Sequence, residues 1–126
     1  MTNERLNEIA TRVIGIAIQL HKDIGPGLFE SVYSRLLARK LCQAGFRVES
    51  EVKIDIEYDG IVISSAFKAD LIVNGCLILE LKSVEQLEPV HAKQLLTYIR
   101  LKDIRLGLLI NFGESLLKNG IKRIAN

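Results

Sequence analysis

Asp70, Glu80 and Lys82 are written into a stretch that otherwise reads as aliphatic, Leu71-Ile72-Val73 followed after Asn74-Gly75 by Cys76-Leu77-Ile78-Leu79. Burying ionised groups among aliphatic side chains costs several kcal/mol unless they are paired or bind a metal, so such a string has a site to build. Two carboxylates and an ammonium suit a hard cation and a phosphate. In an extended strand side chains alternate, so Glu80 and Lys82 share a face with Cα atoms roughly 7 Å apart. Further along, His91, Gln94 and Tyr98 fall at i, i+3 and i+7 of a helical pattern and make a polar stripe.

The elements that must position these residues can be read from periodicity. Leu6, Ile9, Ala10, Val13, Ala17 and Leu20 recur at helical spacing, and Gly25-Pro26-Gly27 breaks the pattern. A second helix runs from about Leu28 to Ala44, with Glu30 in its first turn, Tyr33, Leu36, Leu37 and Leu41 inward, and Gly45 as its stop. Val52, Ile54, Ile56 and Tyr58 alternate with Lys53, Asp55 and Glu57, the pattern of a half-buried strand. Asp59-Gly60 turns the chain into a second strand, Ile61 to Val73, and Asn74-Gly75 into a third, Cys76 to Lys82. Pro89 opens a third helix reaching about Lys102; Leu106 to Phe112 is a fourth strand. A helical turn around Ser115 to Lys118 and a strand from Ile121 to Ile124 follow. The expected fold is α/β, a mixed sheet flanked by helices, with three antiparallel strands and a crossover helix that sets the fourth parallel to the third.

The register at Asn74-Gly75 decides whether the two acids meet. A strict two-residue turn would place Asp70 opposite Leu79 and on the sheet face away from Glu80, so a joint site requires a three-residue loop or a bulge. Pairing carried from Asp59-Gly60 puts Ile61, Ile63, Phe67, Ala69, Leu71 and Val73 on the buried face and leaves Lys68 and Asp70 on the other. A crossover helix starting just past the third strand can aim the Gln94 and Tyr98 stripe at Glu80 and Lys82.

Four strings, Gly27-Leu28-Phe29-Glu30-Ser31-Val32-Tyr33, Ala69-Asp70, Glu80-Leu81-Lys82 and Gln94-Leu95-Leu96-Thr97-Tyr98, are spread along the chain from Gly27 to Tyr98. In them the sequence resembles the PD-(D/E)XK nuclease-like superfamily, and within it the group named for a GxxExxY motif. The resemblance extends to the NFG and LKNGIKRI strings near the end, and Ala69 stands where the superfamily name has proline. It implies a restriction-endonuclease-like core (helix, three-strand meander, helix, strand) and phosphodiester hydrolysis with Mg²⁺, or Mn²⁺ in its place. Asp70 and Glu80 would bind the metal, Glu30 would add a ligand, and Lys82 would position water or stabilise the phosphorane. Gln94 and Tyr98 look like the QxxxY element of RecB-like exonucleases.

Simpler readings stand beside these. Asp, Glu and Lys near one another can form a structural ion pair, Glu30 suits the dipole of a helix N-terminus, and Gln94 and Tyr98 can pack at a sheet end. Tyr33 reads as core, and His91 as a surface or supporting residue. The glycines around Pro26 form no phosphate loop, because no Gly-Lys-Ser/Thr follows. Arg35, Arg39 and Lys40, and Arg100, Lys102 and Arg105, read as solvated faces.

The whole chain bounds the choice. Its 126 residues, 48% apolar and 25% charged, suit one globular domain spanning 1–126. No secretory or membrane-spanning run is evident, so a cytoplasmic location is expected. Cys42 and Cys76 are too few for a disulfide framework and read as buried small apolar residues. A net charge of +2 favours an anionic partner only weakly. Three functions remain: a metal-dependent nuclease on DNA or RNA, a catalytically silent nuclease-derived nucleic-acid-binding domain, and a protein-interaction domain, for which a homodimer is one form.

Overall fold

A 22-residue helix, α1 (Asn3–Ile24), opens the chain, its first turn closed by Thr2, whose hydroxyl accepts from Arg5 N–H at 3.1 Å. The computed structural model describes residues 1–126. After the Gly-Pro-Gly turn, α2 (Glu30–Gln43) runs two residues shorter at its start than the pattern suggested, with Phe29 as an exposed N-cap. Then come β1 (Val48–Tyr58), β2 (Ile61–Val73), β3 (Leu77–Lys82), α3 (Pro89–Leu101), β4 (Leu106–Asn111), a single 3-10 turn at Leu117–Gly120, and β5 (Ile121–Ala125). The strands form one sheet in sequential order. Neighbours are antiparallel except β3 and β4, which the α3 crossover makes parallel, as expected.

Helices cover both faces. On one side α1 and α2 bring Val13, Ala17, Tyr33, Leu37 and Leu41 onto Leu71, Val73, Leu77, Leu79, Leu81, Leu108 and Ile110. On the other α3 brings Leu95 and Ile99 onto Ile72, Ile78 and Leu109. Strand alternation therefore divides β3 cleanly: Leu77, Leu79 and Leu81 face the two-helix side, whereas Ile78, Glu80 and Lys82 face the α3 side. Both faces are buried, so β3 reads as an unbroken aliphatic run until its end.

β2 departs from the sequence reading in three ways. Only Leu71–Val73 pair with β3, so most of β1 and β2 forms a two-stranded ribbon beyond the sheet. Ile61 and Ile63, expected on a buried face, are accordingly exposed, with nothing packed over them. A bulge between Ile54 and Ile56 is held by Asp55, whose carboxylate accepts from Ser65 N–H at 2.7 Å. Finally, Ala69 packs in the α3-side core and Leu71 in the other, so the strand bends at Asp70. The facing residue, Glu51, has φ +52°. The cysteines also differ from expectation: Cys42 lies on the outward face of α2 and is exposed, and Cys76 is half-buried in a loop.

Candidate active site

Asn74, Gly75 and Cys76 form a three-residue loop between β2 and β3, with β3 beginning at Leu77 rather than Cys76. Asn74 (φ +51°) and Gly75 (φ +64°) take left-handed conformations that suit Asn and Gly, and Cys76 N–H closes the loop onto Val73 C=O at 3.0 Å. Asn74 Oδ1 also accepts from Arg47 N–H at 2.9 Å. The third loop residue sets the register: Val73 faces Leu77 and Leu71 faces Leu79, which puts Asp70 opposite Glu80 on one face.

The regular ladder ends at Leu71 and Leu79, and the two carboxylates take over from it. Glu80 Oε1 accepts from Asp70 N–H at 3.2 Å, and Asp70 Oδ2 accepts from Leu81 N–H at 2.8 Å. Each carboxylate keeps its second oxygen free of any hydrogen bond within the chain. Ile72 and Ile78, one step back on the same face, lie under α3. Glu80 is 8% exposed and Asp70 half-buried. Burial is the main cause that raises the pKa of both. For Glu80 the Asp70 charge adds to it, and the carboxyl is pushed up to about 7. Lys82, half-buried at the end of β3, lowers both values through its charge, yet no cation forms a salt bridge with either acid. The ion-paired structural reading of these three residues therefore lacks its pair.

Glu30 sits exposed in the first turn of α2, near enough that its charge raises both Asp70 and Glu80. No third His, Cys, Asp or Glu joins the two acids in a preformed metal cluster. What brings Glu30 to this end of the sheet is the Gly27 to Tyr33 string. The Tyr33 hydroxyl donates to Gly25 C=O at 2.7 Å and accepts from Leu28 N–H at 3.2 Å, clasping the turn, while its ring stacks on Phe112 at 4.3 Å. Ser83, next to Lys82, donates its hydroxyl to Leu28 C=O at 2.6 Å, tying that turn to the end of β3.

On α3, Tyr98 is half-buried and stacks on Phe67 of β2, ring centroids 3.9 Å apart. Burial, then the charges of Glu80 and Asp70, raise its pKa, which places it beside the acids. Gln94 is exposed one turn earlier, and its side chain makes no hydrogen bond within the chain. His91 is turned to another use: its Nδ1 accepts from Glu88 N–H at 3.0 Å, capping α3.

Two supports went unrecognised in the sequence. Asn111, fully buried at the end of β4, accepts at Oδ1 from Val84 N–H and Gly113 N–H, both at 3.0 Å, and donates from Nδ2 to Val84 C=O at 2.9 Å. This clamp holds the chain just after Lys82, whose own C=O accepts from Phe112 N–H at 2.8 Å. Gly113 is required by contact, since a Cβ there would lie 2.1 Å from Val84 O. The signal was a polar residue and a glycine ending an apolar strand.

Asp70 and Glu80 thus meet at the open end of β2 and β3, with Lys82 following Glu80 on the same strand and the charge of Glu30 within electrostatic range. The sequence profile of the PD-(D/E)XK nuclease superfamily matches residues 7–124. The chain belongs to the PD-(D/E)XK nuclease superfamily. Its five-stranded mixed sheet with helices on both faces agrees with the restriction-endonuclease-like fold of that superfamily. No curated protein matches the chain. None of its helices is long and apolar enough to cross a membrane.

Proposed function

We propose that this PD-(D/E)XK protein is a divalent-metal-dependent nuclease of the GxxExxY group that hydrolyses phosphodiester bonds in DNA or RNA, in the cytoplasm. Asp70 and Glu80 would hold the ion, with Glu30 at the start of α2 as a further ligand. Their fit to a metal rests on the acids themselves: two adjacent buried carboxylates repel each other, the chain supplies no ion-pair partner, and their hard oxygen donors suit Mg²⁺, with Mn²⁺ as a substitute. A bound divalent ion supplies an activated water and charge neutralisation at the phosphate. Lys82, on the same strand face as Glu80, stabilises the charge that develops on the phosphoryl oxygens. Tyr98 and Gln94 border the site from α3 and orient the substrate phosphate.

The observation that carries this reading is the meeting of Asp70 and Glu80 across the strand pair, each with one oxygen free of any hydrogen bond within the chain and neither in a salt bridge. The test is calorimetric titration with Mn²⁺ and Mg²⁺. Wild type binds, and Asp70→Ala does not; equal binding by both would remove Asp70 from the site. One observation favours a catalytically silent nucleic-acid-binding domain instead, namely that no third protein ligand is in place beside the two acids.

A further inference from the structure

The β1–β2 ribbon ends in a tip that no part of the chain covers. Tyr58 is 80% exposed, Ile61 63% and Ile63 55%. Tyr58 pairs with Ile61 and Ile56 with Ile63, so these residues form one apolar stripe continuing outward from the α3-side core. A two-stranded ribbon is marginal in water, and a contiguous bare apolar surface of this kind marks a contact. Its charge argues against nucleic acid: residues 48–69 carry five carboxylates and two lysines, in a chain whose net charge is +2. At the tip Tyr58 lies between Glu57 and Asp59, neither of which has an ion-pair partner.

The complementary surface is on the same molecule. Val32, Arg35, Leu36 and Arg39, at helical spacing along α2, line a groove of about 290 Å³, with Leu36 also packed against the core beneath. Half-buried Val32 and Leu36 make an apolar floor, and exposed Arg35 and Arg39, likewise without ion-pair partners, make the rim. An acidic ribbon tip that bares an aromatic residue is complementary in charge to a partly apolar groove edged by arginines, and Tyr and Arg are the residues that dominate binding at protein contacts.

We propose that the protein forms a two-fold dimer in which the ribbon tip of each copy docks into the α2 groove of the other, Tyr58 on Val32 and Leu36, with Asp59 and the acidic charge of the ribbon against Arg35 and Arg39. The two contacts are equivalent, as closed symmetry requires. The proposal does not depend on the nuclease reading, because its readout is assembly alone.

Sedimentation equilibrium over a range of concentrations and salt tests it, with circular dichroism to verify folding. Wild type dimerises, and the dimer weakens as salt rises. Tyr58→Ala and the pair Arg35→Glu with Arg39→Glu each weaken association at least about tenfold. Adding Glu57→Arg and Asp59→Arg to the arginine reversals restores the dimer, since tip and groove again carry opposite charge. A wild type that stays monomeric, a dimer indifferent to the arginine reversals, or failure of the fourfold charge swap to restore association overturns it. So does a monomer whose binding to DNA or RNA falls on reversing the arginines, which would assign the groove to phosphate.

Discussion

At the scale of single residues, Asp70 and Glu80 have to be distinguished from the core they sit in. Asp70 makes one useful hydrogen bond, to Leu81 N–H, but it also faces Glu80 with no salt-bridge partner in contact. Asp70→Ala should therefore leave the metal-free protein as stable as wild type or more so, while Leu79→Ala, which empties a fully buried position, should cost about 2 to 5 kcal/mol. Thermal melts with a chelator and with added Mg²⁺ check this, and only wild type and Leu79→Ala should gain from the ion. The Glu80 shift has a definite sign. Unfolded, the carboxyl titrates near 4.5; folded, it is pushed up to about 7, so the folded state holds the proton more tightly. Its contribution to stability is complete below pH 4.5 and is lost as pH rises through 7. In metal-free denaturant melts, wild type should lose stability relative to Glu80→Gln between pH 5 and 8. Metal binding should strengthen over the same interval, because the ion competes with that proton.

Among the elements, the two turns next to the site matter most. Tyr33 touches neither acid, yet its hydroxyl holds the turn that delivers Glu30. Tyr33→Phe leaves Gly25 C=O and Leu28 N–H without that partner and should cost about 1 to 3 kcal/mol in urea melts. It should also weaken Mn²⁺ binding through Glu30, whereas Leu41→Ala, as far into the core but away from the turn, should cost stability without that loss of affinity. Much of this layer was legible in the sequence. Periodicity located every helix and strand, Asp59-Gly60 located the first hairpin, and the crossover rule made β4 parallel to β3. The requirement for a third loop residue followed from asking how Asp70 could meet Glu80. Alternation could not choose that register, because both faces of β2 and β3 are aliphatic and a slip changes no apolar count. Nor could it show that the ribbon outruns the sheet, since Ile61 and Ile63 carry the same pattern whether covered or bare. Asn111 and Ser83 were missed because their work is done on backbone groups far away in sequence; the polar residue ending β4 marks a position but not its partner.

For the whole molecule, the distribution of charge bears on the substrate. The net charge is only +2 and the β1–β2 ribbon is acidic, so little positive charge is available to track a polyanion. Affinity for nucleic acid should be modest and its log-log salt dependence shallow, with roughly one unit of slope lost per phosphate contact removed. A cleavage panel of single-stranded DNA, duplex DNA and RNA, in Mg²⁺ or Mn²⁺, with Lys82→Ala beside wild type, is the most direct test of the central claim. Wild type should cut at least one of them, a chelator should abolish cutting, and Lys82→Ala should fail to cut while still binding the same substrate in Ca²⁺, because the lysine acts mainly on the transition state. Folded, metal-binding wild type that cuts none of the three, or a Lys82→Ala protein that cuts as fast as wild type, would contradict that claim.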